Sequence, residues 1–431
     1  MTDTLLSVRN LEKHFPVTEG LLRRQVGTVK AVDGVSFDVH RGEAFGLVGE
    51  SGCGKSTTAL SILQLEEPTG GEVLFDGEPI SDLGKRELRQ YRRQVQLVLQ
   101  DPESAFNDRM TIAETVAEPL RVHGMTDSER RREVVEDTLA RVGLGDEDPD
   151  SYPHEFSGGE KQRIAIARAL VLNPDLIIAD EPVSALDGRT KSDVLGLLKE
   201  LQTEFDLSVL LISHDIDVVR QFCDRVAVMY LGSLVESGPT AEVVENPHHP
   251  YTQMLLGSVP SLDPTESHTS TDLLTDELPD AADLPTGCQF HPRCPSIIPP
   301  SDVELPREEW LGVVAFRLSL SDGYASIDAL RQSLSGTGDL GSRVRETFEI
   351  PPTLSDSAVE AALAETIDIL DGGDLAGASD PLEAVTESIC ERHTPELQEI
   401  ETPHPVACHR YDAEEPGAPE TEIEANTFAR Q

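Results

Sequence analysis

Aromatic side chains make up only 4% of this 431-residue chain. No stretch approaches the roughly 20 apolar residues that a membrane-spanning helix requires. Met1–Asn10 has no basic region followed by an apolar run, so no secretory signal is expected, and the chain is expected to be soluble and to stay inside the cell. Lysine is sparse, occurring at Lys13, Lys30, Lys55, Lys85, Lys161, Lys191 and Lys199, and arginine carries most of the positive charge. Against 79 Asp and Glu this leaves a formal net charge of −44. A phosphate backbone demands a basic face, so the balance speaks against nucleic-acid binding. It fits either an acidic tail for a basic partner or a whole surface adapted to high salt, where screening blunts self-repulsion. Carboxylates occur in every part of the chain, which favours the second, halophilic reading. There are six cysteines, Cys53, Cys223, Cys288, Cys294, Cys390 and Cys408. Inside a cell, free thiols or metal ligation come before disulfides.

The length allows two or three domains of about 150 residues each, and 38% hydrophobic residues suffice for a core. Up to about residue 235, short apolar runs with β-branched content alternate with helical patterns. The runs are Leu5–Val8, Val35–Val39, Ala44–Val48, Val95–Leu99, Leu176–Ala179, Val209–Ile212 and Val226–Met229, with helices such as Lys161–Leu172 and Lys191–Phe205 between them. This alternation predicts an α/β fold with a largely parallel sheet. Residues 101–157 lack strand character, and the charged stretch Asp127–Val142 predicts a helical subdomain there. Ser261–Thr286 is acidic and rich in Ser, Thr and Pro, as a connector would be. Beyond it, Ser357–Leu370 carries Val359, Leu363, Ile367 and Leu370 at helical spacing.

The strand Ala44–Val48 runs into Gly49-Glu50-Ser51-Gly52-Cys53-Gly54-Lys55-Ser56-Thr57, which fits G-x-x-x-x-G-K-[ST]. Glycines let successive N–H groups face one anion at the start of a helix. Lys55 would reach the β- and γ-phosphates, and Ser56 would hold Mg²⁺. A chance glycine-rich turn is the competing reading, which the flanking strand and the helix-compatible Ala59–Leu65 oppose. Alone, the motif says only P-loop nucleotidase. A second apolar strand, Leu176–Ala179, ends in Asp180-Glu181-Pro182. Beside a P-loop, Asp180 would take the metal side and Glu181 would polarise the attacking water. Such a strand can also simply end in solvent with acidic residues.

Between these motifs, Phe156-Ser157-Gly158-Gly159-Glu160 heads a helix. Here the chain resembles the ATPase subunits of ABC transporters, whose signature has the form LSGGQ. The resemblance implies a P-loop ABC nucleotide-binding domain with a helical subdomain and a C-terminal extension. It also implies ATP and Mg²⁺ as ligands, and two subunits closing head to tail so that Ser157, Gly158, Gly159 and Glu160 meet the nucleotide of the partner. Phe156 replaces leucine and Glu160 replaces glutamine. A carboxylate there can repel the γ-phosphate or be stabilised by the helix dipole. The same resemblance makes Gln100 the loop glutamine on Mg²⁺, Asp187 in Ser184-Ala185-Leu186-Asp187 the D-loop residue, and His214 the switch histidine. Phe15 falls where the family keeps an adenine-stacking aromatic, or is a core residue.

Lys30-Ala31-Val32-Asp33-Gly34, Gly20-Leu21-Leu22-Arg23-Arg24, Gln100-Asp101-Pro102 through Met110-Thr111, and Asn246-Pro247-His248-His249-Pro250-Tyr251 resemble the oligopeptide and dipeptide permease ATPases. Asp108 stands where that branch usually has proline. The resemblance implies residues 1–258 as the ATPase domain. It assigns 259–295 and 387–431 to a cysteine-containing C-terminal region, with 296–386 as an inserted helical segment. It further implies membrane permease subunits, a second ATPase subunit (identical or homologous), an extracellular solute-binding protein, and a peripheral place on the cytoplasmic face of the membrane. In parts of that branch four cysteines hold an iron–sulfur cluster. Cys288 and Cys294 match the first pair, while Cys390 and Cys408 resemble the second across the insertion. A four-iron cluster, zinc and four reduced thiols all remain open. Nickel or another small solute, a soluble ABC ATPase of repair or translation, and a P-loop kinase are the competing functions. The kinase would leave the signature, D-loop and histidine unexplained.

Overall fold

The computed structural model describes residues 3–19, 24–257, 281–321, 338–375, 377–400 and 404–412, with a few single residues between. The stretch Gly20–Arg23 and most of the acidic connector 261–286 lie outside the described residues. The chain divides into two compact units, Met1–Asn246 with Glu401–Pro405, and Pro247–Ile400 with Val406–Gln431. The first therefore ends at Asn246, short of the 258 taken from the sequence.

The first unit is built on a six-stranded sheet in the order β10-β9-β3-β8-β7-β6. Its strands are β3 (Ala44–Val48), β6 (Val95–Val98), β7 (Leu176–Asp180), β8 (Ser208–Ser213), β9 (Arg225–Tyr230) and β10 (Ser233–Pro239). All pairings are parallel except β9 with β10. Every residue of β3, β7 and β8 is buried, as expected of strands covered on both faces. Helices α1 (Lys55–Ile62), α5 (Gly158–Leu170), α6 (Gly188–Phe205) and α7 (Ile216–Phe222) connect them, joined in chain order by α2 (Lys85–Gln94), α3 (Ile112–Val122), α4 (Ser128–Arg141) and α8 (Thr240–Glu245). The strand-free stretch predicted over 101–157 holds α3 and α4, with Asp127 capping α4 through the amides of Glu129 and Arg130.

One sequence expectation needs correcting. The runs Leu5–Val8 and Val35–Val39 do not join the parallel sheet. They are parts of β1 (Thr4–Glu19) and β2 (Arg24–His40), which pair antiparallel in a separate sheet, β2-β1-β4-β5, with β4 (Gly70–Phe75) and β5 (Glu78–Pro79). A short local connection permits antiparallel pairing, whereas parallel pairing needs a crossover.

The second unit contains α9 (Pro250–Gly257), α10 (Arg307–Ser321), α11 (Leu340–Thr347), α12 (Ser357–Asp371), α13 (Asp380–Thr386) and α14 (Ile389–Arg392). Helix α12 falls on the Ser357–Leu370 pattern. Its Val359, Leu363 and Leu370 join Val313, Phe316, Val344 and Leu382 in one apolar core. No helix among the described residues is long and apolar enough to cross a membrane.

Candidate active site

Four carboxyl ends of the parallel sheet carry the residues picked from the sequence: loop 49–54 after β3, Gln100 after β6, Asp180 and Glu181 at β7, and His214 after β8. Carboxyl ends of such a sheet are where ligands bind, because the connecting loops diverge there.

The loop after β3 turns on Gly52 and Gly54, both at positive φ. At Gly54 a Cβ would lie 2.0 Å from the carbonyl oxygen of Ala31, and at Gly49 2.1 Å from that of Met229. The glycines therefore let the loop nest against the backbones of β2 and β9. The N–H of Gly232 donates to the carbonyl of Cys53 at 2.9 Å, which ties the loop to the β9–β10 turn. Ser51, Gly52 and Ser56 face outward, Thr57 is half-buried, and Cys53 lies inside with its thiol pushed up by burial. Lys55 is only 5% exposed. Its ammonium donates to the carbonyls of Gly49 (2.7 Å) and Glu50 (2.8 Å), so the positive charge sits within the curl of the loop.

Asp180 is buried at the end of β7, and its carboxyl is raised above the usual range chiefly by that burial, with Ser56 opposing the shift through a hydrogen bond. The negative charge of Glu181 raises it further and that of Lys55 lowers it. Its Oδ1 is buried with no hydrogen-bond partner. An orphaned, desolvated carboxylate oxygen beside a serine hydroxyl is the hard oxygen donor set that Mg²⁺ takes.

Glu181 sits at φ +46°, unusual for a residue with a side chain, and its N–H donates to the carbonyl of Ile212 at 2.8 Å. This fixes where its carboxylate emerges. Gln100 Nε2 donates to Oε2 at 2.9 Å, and His214 Nδ1 lies 2.9 Å from Oε1. Three side chains that were separate sequence expectations thus meet at one carboxylate. His214 is 48% exposed and Gln100 is exposed, so the cluster opens to solvent on that side.

The Ser157 turn caps α5. Ser157 donates from both its N–H and its hydroxyl to Glu160 Oε2, each at 2.7 Å, while the Glu160 N–H returns to Ser157 Oγ. These bonds hold the Glu160 carboxyl below its usual range, the Ser157 hydroxyl contributing most. This is a capping box: the carboxylate is turned back onto its own helix start. Gly159 packs against α6 so closely that a Cβ would lie 2.3 Å from Thr190 Cγ2. Asp187 caps α6, accepting from the amides of Arg189 and Thr190 and, at 2.7 Å, from the Thr190 hydroxyl. Phe15 lies half-buried in β1 with the Lys13 ammonium 4.7 Å from its ring centroid.

In the second unit Cys288 and Cys390 meet through their backbones, and Cys294 and Cys408 lie within electrostatic reach. The N–H of Cys288 donates to the carbonyl of Cys390 at 2.8 Å. Gly287, at φ +66°, allows that approach, since a Cβ there would lie 2.4 Å from the same oxygen. Burial pushes the thiols of Cys288 and Cys294 up, and the charges of Cys408 and Cys390 act on both in the same direction. The insertion loops out from closely placed ends: the Ser388 hydroxyl donates to the carbonyl of Ile298 at 2.5 Å. Among the described residues no group of three or more His, Cys, Asp or Glu stands in a metal-holding arrangement.

The model of the ABC transporter family matches residues 32–184, and that of the oligopeptide/dipeptide transporter C-terminal region matches 235–299. A third, describing a domain of unknown function, matches 307–403. The chain is 50% identical over 309 residues to the oligopeptide transport ATP-binding protein AppF of Bacillus subtilis, covering 70% of this chain and 93% of that protein. The chain belongs to the ATP-binding subunits of the ABC transporter family. A putative peptide import ATP-binding protein of Brucella ovis is 45% identical across 71% of this cassette chain and 95% of its own length. Among solved structures, cbiO1 of Clostridium perfringens, part of the ABC transporter complex cbiONQ, superposes with a TM-score of 0.50 at 30% identity. That match covers 57% of this chain and 92% of cbiO1.

Two ion pairs of the cassette escaped the sequence reading. Lys161 at the start of α5 pairs with Glu103 in the turn after Gln100. Lys191 in α6 pairs with Asp215, next to His214. Burial works to raise the Asp215 carboxyl, but its bond to Lys191 holds it low. The signal was the scarcity of lysine itself: two of seven sit beside loops flanking the site.

Proposed function

We propose that this chain hydrolyses ATP to drive import of di- or oligopeptides, as one of two cassettes, identical or homologous, that close head to tail under paired membrane permease subunits. The observation that carries the reading is the meeting of Gln100, Glu181 and His214 at one carboxylate beside the lysine-bearing loop. Lys55 and the loop amides at Gly49, Ser51, Gly52, Cys53, Gly54, Ser56 and Thr57 bind the β- and γ-phosphates. Glu181 orients and polarises the attacking water, and His214 steadies that carboxylate and faces the γ-phosphate. Ser56, Asp180 and Gln100 would hold Mg²⁺, which when bound neutralises charge on the phosphate oxygens. Ser157, Gly158 and Gly159 close the nucleotide of the opposite copy, with Glu160 occupied by its capping box. Asp187 lies across the same interface, and Phe15 offers a face to adenine. The cassette is assigned to the first compact unit, Met1–Asn246, and α9 to the C-terminal region.

The peptide class is supported by the relatives named above and by the glutathione import ATP-binding protein GsiA of Escherichia coli, 49% identical over 277 residues that span 44% of its length. The place of action is the cytoplasmic face of the membrane, with a solute-binding protein outside, and the acidic surface suits a high-salt interior. Vesicles holding this chain with its permease subunits should take up labelled peptide only with ATP present. Uptake of nickel but no peptide would overturn the substrate assignment, and a chain that never co-purifies with membrane subunits would overturn transport.

The four tail thiols are proposed to hold a four-iron cluster or zinc. Cys288 and Cys294 are both under the charge of Cys390 and Cys408, and four thiolates suit either in donor chemistry. After anaerobic reconstitution the unaltered protein should show visible iron–sulfur absorption or stoichiometric zinc, and Cys294→Ser should lose either. Colourless, metal-free protein with all four cysteines intact would remove the idea.

A further inference from the structure

We propose that the inserted helical segment, residues 296–386, serves to wall off and pin the four-thiol site, with Arg317 as its positioning residue. The inference rests on the reading of Cys288, Cys294, Cys390 and Cys408 as one site, and it gives the insertion a task rather than leaving it as a decorative loop.

Helix α10 opens on a charged, largely exposed first turn, Arg307-Glu308-Glu309, and is then apolar from Trp310 to Phe316, with two apolar faces and Arg317 as the one charge in that later part. One face, with Val313, Phe316 and Leu320, enters the core of the insertion. The other, with Trp310 and Val314, packs in a cluster with Ile297 and Cys390, and Cys288 lies against that cluster. Trp310 is buried, and its indole N–H donates to the carbonyl of Ile297 at 3.0 Å. That contact fixes the segment three residues beyond Cys294. The N–H of Ile297 is itself bonded to the Cys294 carbonyl.

Arg317 holds the segment that carries Cys390. Its Nη2 donates to both oxygens of Glu391, each at 2.7 Å, and both side chains are buried. Glu391 is the residue after Cys390. It also accepts the Ser388 N–H at 2.8 Å, closing a capping box on α14. The helix carrying Cys390 is therefore capped by a carboxylate whose charge is balanced from the insertion. The Nε of Arg317 has no hydrogen-bond partner. A buried guanidinium with an unpartnered Nε is costly, and breaking its pair with Glu391 would leave an uncompensated buried charge. What the pair fixes is the orientation of Glu391 and, through it, Cys390 against Gly287 and Cys288.

The test measures thiol reactivity, which needs no bound metal. In native full-length protein treated with iodoacetamide and read by peptide mapping, the four tail cysteines should alkylate slowly. In Arg317→Met, which keeps the stem but leaves Glu391 buried without a counter-charge, they should alkylate on the order of a hundredfold faster, because losing one partner of a buried pair opens local structure. Cys223, buried in the other unit, is the internal control and should not change. Unchanged tail reactivity in Arg317→Met would overturn the proposal. Should Cys223 also become reactive, the unaltered chain decides in a urea series. Tail thiols should become accessible together with loss of amide-exchange protection across α10. Thiol exposure while α10 stays protected would overturn the proposal. Iron and zinc uptake are measured on the same samples. Metal-free protein whose thiols still respond to Arg317→Met would sink the cofactor reading and leave this one standing.

Discussion

Replacing Glu181 with glutamine is expected to cut ATP turnover by about 10²–10⁴-fold, the range a positioned general base contributes, while fold and nucleotide affinity stay in place. Glutamine matches glutamate in shape, so the positive φ at this position and the N–H bond to Ile212 are undisturbed. The amide can still meet the side chain of Gln100 or of His214. What it cannot do is carry the negative charge that polarises water. The loss should therefore fall on kcat and leave ATP binding within a fewfold. Steady-state turnover, ATP titration and a thermal melt on the same preparation check this. Turnover within threefold of the unaltered chain would mean that the water is activated elsewhere, and the assignment of Glu181 would fail.

How much of this could be read from the sequence depended on how each element is buried. Strands β3, β7 and β8 are covered on both faces, so they print as unbroken apolar runs and were found with near-correct limits. The antiparallel sheet was hidden. Strands β1 and β2 are half-exposed and broken by register shifts, with His14, Pro16 and Asp33 inside them, and β4 opens on two glycines. Strand β10 carries Glu236, an unlikely strand residue until His404 is seen 2.7 Å away, 168 positions on in sequence. A partner so distant leaves no local trace. The cluster of Gln100, Glu181 and His214 was legible as a set of motifs, but the bridging of Gln100 and His214 by Glu181 was not, because it depends on how three loops diverge from the sheet. Glu160 shows the opposite failure. The S-x-x-E spacing was in view as a departure from a signature, and its physical sense is a helix cap.

Lys55→Ala should weaken ATP binding by about 10²–10³-fold at any salt concentration. The estimate comes from one unit charge at about 4 Å of a phosphate oxygen, worth about 4 kcal/mol at an effective dielectric of about 20, less part of that for water filling the gap. Alanine suits a helix start, and the buried Lys55 ammonium bonds to carbonyls of its own loop, so the fold should hold. The salt dependence makes the prediction specific to this acidic chain. At low ionic strength a net charge of −44 repels an anionic nucleotide over tens of Å, and at 1 M salt the screening length is about 3 Å. Affinity of the unaltered chain should therefore rise with added salt, as long-range repulsion is screened faster than the buried contact at Lys55. In Lys55→Ala the same relief should appear, with the gap between the two proteins unclosed. Titration with a fluorescent nucleotide from 0.05 to 1 M salt reads both slopes. A variant whose affinity converges on the unaltered value in high salt would show that Lys55 acts only through the general field, and that no lysine–phosphate contact exists in the loop.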